Sequence, residues 1–204
     1  MQAEWFAAQI QALRVLPMVV LDHPTSGVGV AHALASGGLT CMEITLRTEG
    51  AIEAITAVTQ EVPDMLVGAG TVMRAQQVDA AVAAGAHFVA SPVVDHGVIR
   101  RARERGVSML PGVASHADAI AATRAGARTV KLHLPGGADG LGELRTYSKL
   151  FRTLQFIPTG ALEAAEVAAY LREPRVLAVG TSRITPYGAG GAQVRRLATE
   201  FAGG

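Results

Sequence analysis

Eight short apolar runs, rich in aliphatic and β-branched residues, recur along the chain at a spacing of roughly 20 to 25 residues. They are Leu16 to Leu21, Cys41 to Leu46, Met65 to Gly70, Phe88 to Pro92, Ser108 to Val113, Thr129 to Pro135, Leu154 to Gly160 and Val176 to Ser182. Alanine-rich segments of helical period lie between them, such as Ala51 to Val62, Gln76 to Ala84, Val98 to Arg105 and Ala161 to Leu171. Gly37-Gly38, Gly85, Gly106 and Gly126 each close such a segment just before the next run, the helix C-cap signal. Eight strand–loop–helix units predict an α/β chain folded as a (β/α)8 barrel of the TIM type, with an open doubly wound sheet as the alternative. At 204 residues the chain is short for such a barrel, so the loops must be short. One compact domain spanning 1–204 is expected, with an N-terminal helix before the first strand. Gly188-Ala189-Gly190-Gly191 predicts a loop before a final helix, Ala192 to Phe201.

Composition supports a packed core: half of the residues are hydrophobic, 17% are charged and 4% aromatic. The net charge of +1 and the absence of a basic face argue against a nucleic-acid partner. Arg100, Arg101, Arg103 and Arg105, interrupted by Glu104, read as a solvated helix face. Cys41 is the only cysteine and sits in an apolar run, so it reads as a small buried hydrophobe. Met1 to Val20 carries Glu4 and Arg14 and lacks a basic leader or a long apolar stretch, which predicts neither a signal peptide nor a membrane span. A soluble cytoplasmic protein is the expectation.

A barrel places its chemistry at the C-terminal ends of its strands. Only two of the 18 basic residues are lysines, Lys131 and Lys149, and Lys131 lies inside Val130-Lys131-Leu132-His133-Leu134. Alternation sends Thr129, Lys131 and His133 to one face and Val130, Leu132 and Leu134 to the other. The apolar face must pack under the helices, so Lys131 points into the barrel. A buried ammonium is costly unless paired, and desolvation favours the free amine, the form that attacks a carbonyl to make a Schiff base. In the second run Cys41, Glu43, Thr45 and Arg47 share a face. Glu43 is thus a candidate partner and general acid–base for Lys131, and Arg47 offers the forked donor suited to a carboxylate. A core charge network without chemistry is the competing reading of the three. The seventh and eighth runs end in Pro158-Thr159-Gly160 and Gly180-Thr181-Ser182, where barrels commonly hold phosphate through backbone N–H groups and a helix N-terminus. The six histidines have no paired spacing, so no metal site is expected.

These pieces together resemble the 2-keto-3-deoxy-6-phosphogluconate (KDPG) aldolase family, which includes 4-hydroxy-2-oxoglutarate aldolases. The likeness runs from about Leu16 to Ser182, through Glu43-Ile44-Thr45-Leu46-Arg47-Thr48, Val67-Gly68-Ala69-Gly70-Thr71-Val72, Ser91-Pro92, Leu110-Pro111-Gly112-Val113, Val130-Lys131 and Phe156-Ile157-Pro158-Thr159-Gly160. The resemblance implies a class I aldolase in which Lys131 forms the Schiff base and Glu43 moves protons, with no metal or other cofactor. It further implies that Arg47 and Thr71 hold the pyruvate carboxylate, that Pro92 and Thr159 line the pocket, and that Gly160, Ala161, Gly180, Thr181 and Ser182 surround the phosphate. The implied ligand is a keto-acid sugar phosphate, and family members are commonly homotrimers.

Three departures stand out. The family usually has two aromatics and a proline after the lysine; here Leu132-His133-Leu134 precedes Pro135. Pro-Thr-Gly-Gly becomes Pro158-Thr159-Gly160-Ala161, and Gly-Gly-Ser-Trp becomes Gly180-Thr181-Ser182-Arg183, where Arg183 could add a cation near an anionic group. Rival readings are an aldolase for 4-hydroxy-2-oxoglutarate or a non-phosphorylated sugar acid, a sugar-phosphate epimerase or isomerase, and a phosphate-binding barrel without turnover.

Overall fold

The computed structural model describes residues 2–21, 23, 26–135 and 137–203. Eight parallel strands close into a barrel in sequence order: β1 Val15–Val19, β2 Cys41–Thr45, β3 Leu66–Gly70, β4 Phe88–Ser91, β5 Ser108–Val113, β6 Thr129–His133, β7 Gln155–Gly160 and β8 Val179–Thr181. Closure comes from β8 pairing with β1, Leu16 opposite Gly180 and Pro17 opposite Thr181. The helices are α1 Gln2–Leu13, α2 Ser26–Ser36, α3 Ala51–Glu61, α4 Ala75–Ala83, α5 His96–Glu104, α6 His116–Arg124, α7 Gly137–Leu150, α8 Ala164–Leu171 and α9 Gly191–Ala202. The closed order excludes the open doubly wound sheet.

Alternation along each strand divides the apolar residues into two cores. Met42, Ile44, Val130, Leu132 and Leu134 face outward and pack with the helices in the larger one. Inside the barrel, Leu16, Cys41, Leu66, Phe88, Leu110 and Ile157 form a plug at the N-terminal ends of the strands. Helix α1 closes that end: Phe6 and Ile10 are buried against the plug, and the Phe6 ring lies 5.0 Å from that of Phe88. Each such fully buried side chain contributes about 1.5–3 kcal/mol relative to exposure. The apolar floor leaves the other end of the barrel free for polar groups.

The helix-ending glycines behave as their position predicts: Gly38, Gly85, Gly106 and Gly126 have φ between 66° and 90°. Three segments differ from the sequence expectation. The helix expected from Ala161 begins at Ala164, because Glu163 is an extended N-cap and Ala161 and Leu162 form the turn before it. Helix α7 has no counterpart among the segments of helical period, since Gly137, Gly140 and Gly142 weaken its pattern. Leu144 and Tyr147 hold it in place, both buried in the outer core. The eighth strand is only three residues long, with Val176 bridging separately to Phe156.

Cys41 is fully buried, its Sγ 3.0 Å from the Val15 carbonyl oxygen, and burial pushes the thiol up to about 12. It is an inert part of the plug. The arginines of α5 and its C-cap form the expected solvated face and carry surface ion pairs on it: Arg101 and Arg105 both reach Asp79 of α4, and Arg103 donates to the Ala125 carbonyl. Among the described residues no helix is long and apolar enough to cross a membrane.

Candidate active site

The inward face of β2 rises from Cys41 in the plug to Glu43, Thr45 and, past the strand end, Arg47; that of β6 rises from Thr129 to Lys131 and His133. Strands β2 and β6 stand across the barrel from each other, so two residues 88 apart in sequence meet on its axis. Lys131 Nζ lies 2.8 Å from Glu43 Oε1 and 2.7 Å from Oε2, and the residues are 4% and 2% exposed. Met18 of β1 places its Sδ 3.2 Å from the same nitrogen. A buried pair of this kind stands only because each charge compensates the other.

Space for Glu43 depends on β3. A Cβ on Gly70 would fall 2.3 Å from Glu43 Oε1 and 2.8 Å from Glu43 Cγ, distances no real side chain tolerates. Gly70→Ala is therefore expected to push the carboxylate off Lys131 and, on the expectation that Glu43 moves protons, to lower kcat at least about tenfold. Steady-state kinetics beside a thermal melt would check this: a folded variant with normal kcat would show that the position of Glu43 does not matter.

Above the pair, Arg47 Nε donates to Thr71 Oγ1 at 3.2 Å. Thr71 has φ 58°, a left-handed conformation that a β-branched residue rarely adopts and that costs about 1–3 kcal/mol. The backbone around it is pinned, Leu46 N–H to the Gly70 carbonyl and Val72 N–H to the Ala90 carbonyl. The strained turn aims the hydroxyl at the arginine.

Lys131, Glu43, Arg47, Thr71, Pro92, Thr159, Gly160 and Ser182 all line one cavity of about 250 Å³ at the C-terminal mouth. Three residues expected near it do not line it: Ala161 is exposed in the turn after β7, Gly180 lies against Thr159 Oγ1, and Thr181 is buried, donating to the Leu162 carbonyl and accepting from Arg183 N–H. Met18, Val20 and Ala90, not singled out from sequence, complete the wall together with Thr45, expected on the face of Glu43, and Ser91 of the Ser91-Pro92 motif. The alternation of β1 already carries the signal for Met18 and Val20, because both share a face with the plug residue Leu16.

His133 lines the same cavity, one inward step above Lys131 and in register with Thr159. Its ring is open on one side, yet desolvation by the wall, followed by the charge of Lys131, holds its pKa below the ordinary histidine value, with Glu43 acting in the opposite direction. Arg183 is paired elsewhere, its Nε 3.0 Å from Glu163 Oε1. Glu163 and Glu166 themselves close the N-terminus of α8 in a capping box. Among the described residues no group of three or more metal-ligating side chains comes together.

A parallel (β/α)8 barrel that buries a paired amine beneath an arginine-bearing mouth has the equipment of a lyase working through a carbonyl adduct. The model of the KDPG and KHG aldolase family matches residues 6–194. The chain is 38% identical over 177 residues to the 2-dehydro-3-deoxy-phosphogluconate aldolase of Treponema pallidum, covering 87% of this chain and 84% of that one. Among solved structures, the 2-keto-3-deoxy-6-phosphogluconate aldolase of Zymomonas mobilis ZM4 with 3-phosphoglycerate superposes with a TM-score of 0.86 at 33% identity, covering 96% of this chain and 94% of that one. The KDPG aldolase of Legionella pneumophila, with pyruvate captured at low pH as a covalent carbinolamine intermediate, has a TM-score of 0.86 at 32% identity, covering 95% and 96%. The chain belongs to the KDPG and KHG aldolase family and is a carbon–carbon lyase.

Proposed function

We propose that this protein is a class I aldolase that cleaves 2-keto-3-deoxy-6-phosphogluconate to pyruvate and glyceraldehyde 3-phosphate, with Lys131 as the Schiff-base residue. The observation that carries the reading is the buried contact of Lys131 Nζ with both Glu43 oxygens on the floor of the mouth cavity. The carbinolamine captured in the Legionella relative supports the same chemistry.

The Nζ proton passes to Glu43, and the free amine attacks the C2 ketone to give a carbinolamine. Glu43 returns a proton to the departing hydroxyl, and water leaves an iminium ion. The Glu43 carboxylate then takes the C4 hydroxyl proton, directly or through a water. The C3–C4 bond breaks, the aldehyde departs, and the bonding pair moves into the iminium to form an enamine. Protonation of the enamine at C3 and hydrolysis of the iminium release pyruvate and restore the amine. The iminium is the electron sink, so the cycle needs no metal or other cofactor.

Arg47 and Thr71 hold the substrate carboxylate so that the ketone faces Lys131, and Pro92 and Thr159 form the walls. The phosphate end lies toward Gly160, Ala161, Gly180, Thr181 and Ser182. Thr181 takes part there through its main chain, because its hydroxyl is bonded to Leu162 and Arg183. The 3-phosphoglycerate found with the Zymomonas relative supports a phosphate-bearing ligand. Residues 1–204 are read as one barrel domain, acting as a cytoplasmic homotrimer.

Comparing cleavage of the 6-phosphorylated acid with that of its dephosphorylated form tests the substrate. The phosphorylated compound is expected to have a kcat/KM at least about tenfold higher, one added charge-assisted contact being enough for that. Equal values, or a preference for 4-hydroxy-2-oxoglutarate, would move the assignment to the related activity.

A further inference from the structure

We infer that His133 is a specificity-determining residue that hydrogen-bonds a hydroxyl of the aldehyde half of the substrate; this rests on the aldolase reading of the cavity above. The geometry points to that half. Arg47 and Thr71 lie on the β2–β3 side of the mouth, whereas His133, Thr159, Gly160 and Ser182 lie on the β6–β8 side. A substrate anchored by its carboxylate at Arg47 and by C2 at Lys131 extends its remaining carbons past His133.

The position is firmly built. His133 pairs in register with Thr159, and the chain continues along β7 beyond it, Leu134 N–H donating to the Thr159 carbonyl at 3.1 Å. Leu132 and Leu134 on either side are buried in the outer core, so the pleat commits His133 to the inside. Among the described residues the imidazole takes no hydrogen-bonding partner, while the neighbouring hydroxyls of Thr45 and Thr159 are bonded to the Val19 and Ile157 carbonyls. The charged groups acting on it are Lys131, which disfavours imidazolium, and Glu43, which favours it; with desolvation added, the neutral ring prevails. A neutral imidazole offers one donor and one acceptor, the complement of a sugar hydroxyl.

The test separates the two halves of the reaction. Exchange of the pyruvate methyl protons with deuterated water reports amine attack and enamine formation alone; cleavage of 2-keto-3-deoxy-6-phosphogluconate adds the aldehyde half. His133→Leu, which removes both the donor and the acceptor, is expected to lower kcat/KM for cleavage by about ten- to a hundredfold while exchange falls less than about threefold. His133→Asn, which keeps a donor and an acceptor, is expected to recover part of that loss and covers the case in which the Leu variant does not fold. Equal losses in both reactions would make His133 a structural support for Lys131, and unchanged cleavage would remove it from recognition; either overturns the proposal. If the wild-type protein itself exchanged no pyruvate protons, the aldolase reading would fail first, and that outcome is distinct from both.

Discussion

Replacing Lys131 with Met is expected to lower turnover by about 10⁴-fold or more, because among the described residues lining the cavity Lys131 carries the one primary amine that can form an iminium with the substrate. Methionine preserves the length and apolar stem of the side chain while removing the amine. The single variant also strands Glu43, 2% exposed, without its cation. Losing one partner of a buried pair costs about 3–5 kcal/mol, because the remaining group is left buried and uncompensated. The double variant Lys131→Met with Glu43→Gln is therefore expected to melt higher than the single one and to stay inactive. Thermal melts and product assays on both variants separate loss of chemistry from loss of fold; normal turnover in either would eliminate the covalent mechanism.

Glu43→Gln is expected to act differently. The carboxamide fills the same space beside Gly70 and keeps an oxygen for Lys131 Nζ, so the barrel remains closed around the site. It cannot relay protons at the carbinolamine, at the C4 hydroxyl or at the enamine. Loss of a general acid–base group lowers kcat by about 10²- to 10⁴-fold. Slow adduct formation with pyruvate is still expected, since the nucleophile is intact. An unchanged kcat would assign the proton transfers to another group, and His133, the next titratable side chain along the inner face of β6, would then be first to examine.

The barrel was legible because its pattern is local. Each strand shows as a short aliphatic run, several helices end at a glycine with positive φ, and alternation within β2 and β6 puts Glu43 and Lys131 on the inner faces. Alternation gives the face of a strand but no distance across the barrel; the contact between those residues exists only because closure sets β2 opposite β6. The same limit hid Met18, an ordinary apolar residue in its own strand that touches Lys131 only through the closed barrel. Gly70 looks in sequence like any strand-end glycine, and its necessity arises from the Glu43 carboxylate lying where a Cβ would be. At α8, the alanine-rich pattern extends past the true start, and only the capping by Glu163 and Glu166 marks the first turn. Arg183 reads as a free cation until the β7 and β8 loops come together and Glu163 takes it.

The most direct measurement is borohydride reduction of the folded protein in the presence of pyruvate, followed by mass spectrometry of its lysine-bearing peptides. Lys131, on the floor of the cavity, and Lys149, exposed on α7, are the two lysines of the chain and provide an internal comparison. A reduced pyruvyl adduct on Lys131 and none on Lys149 is the predicted result. Absence of an adduct from the folded protein, or an adduct confined to Lys149, would contradict the assignment of Lys131 as the Schiff-base residue.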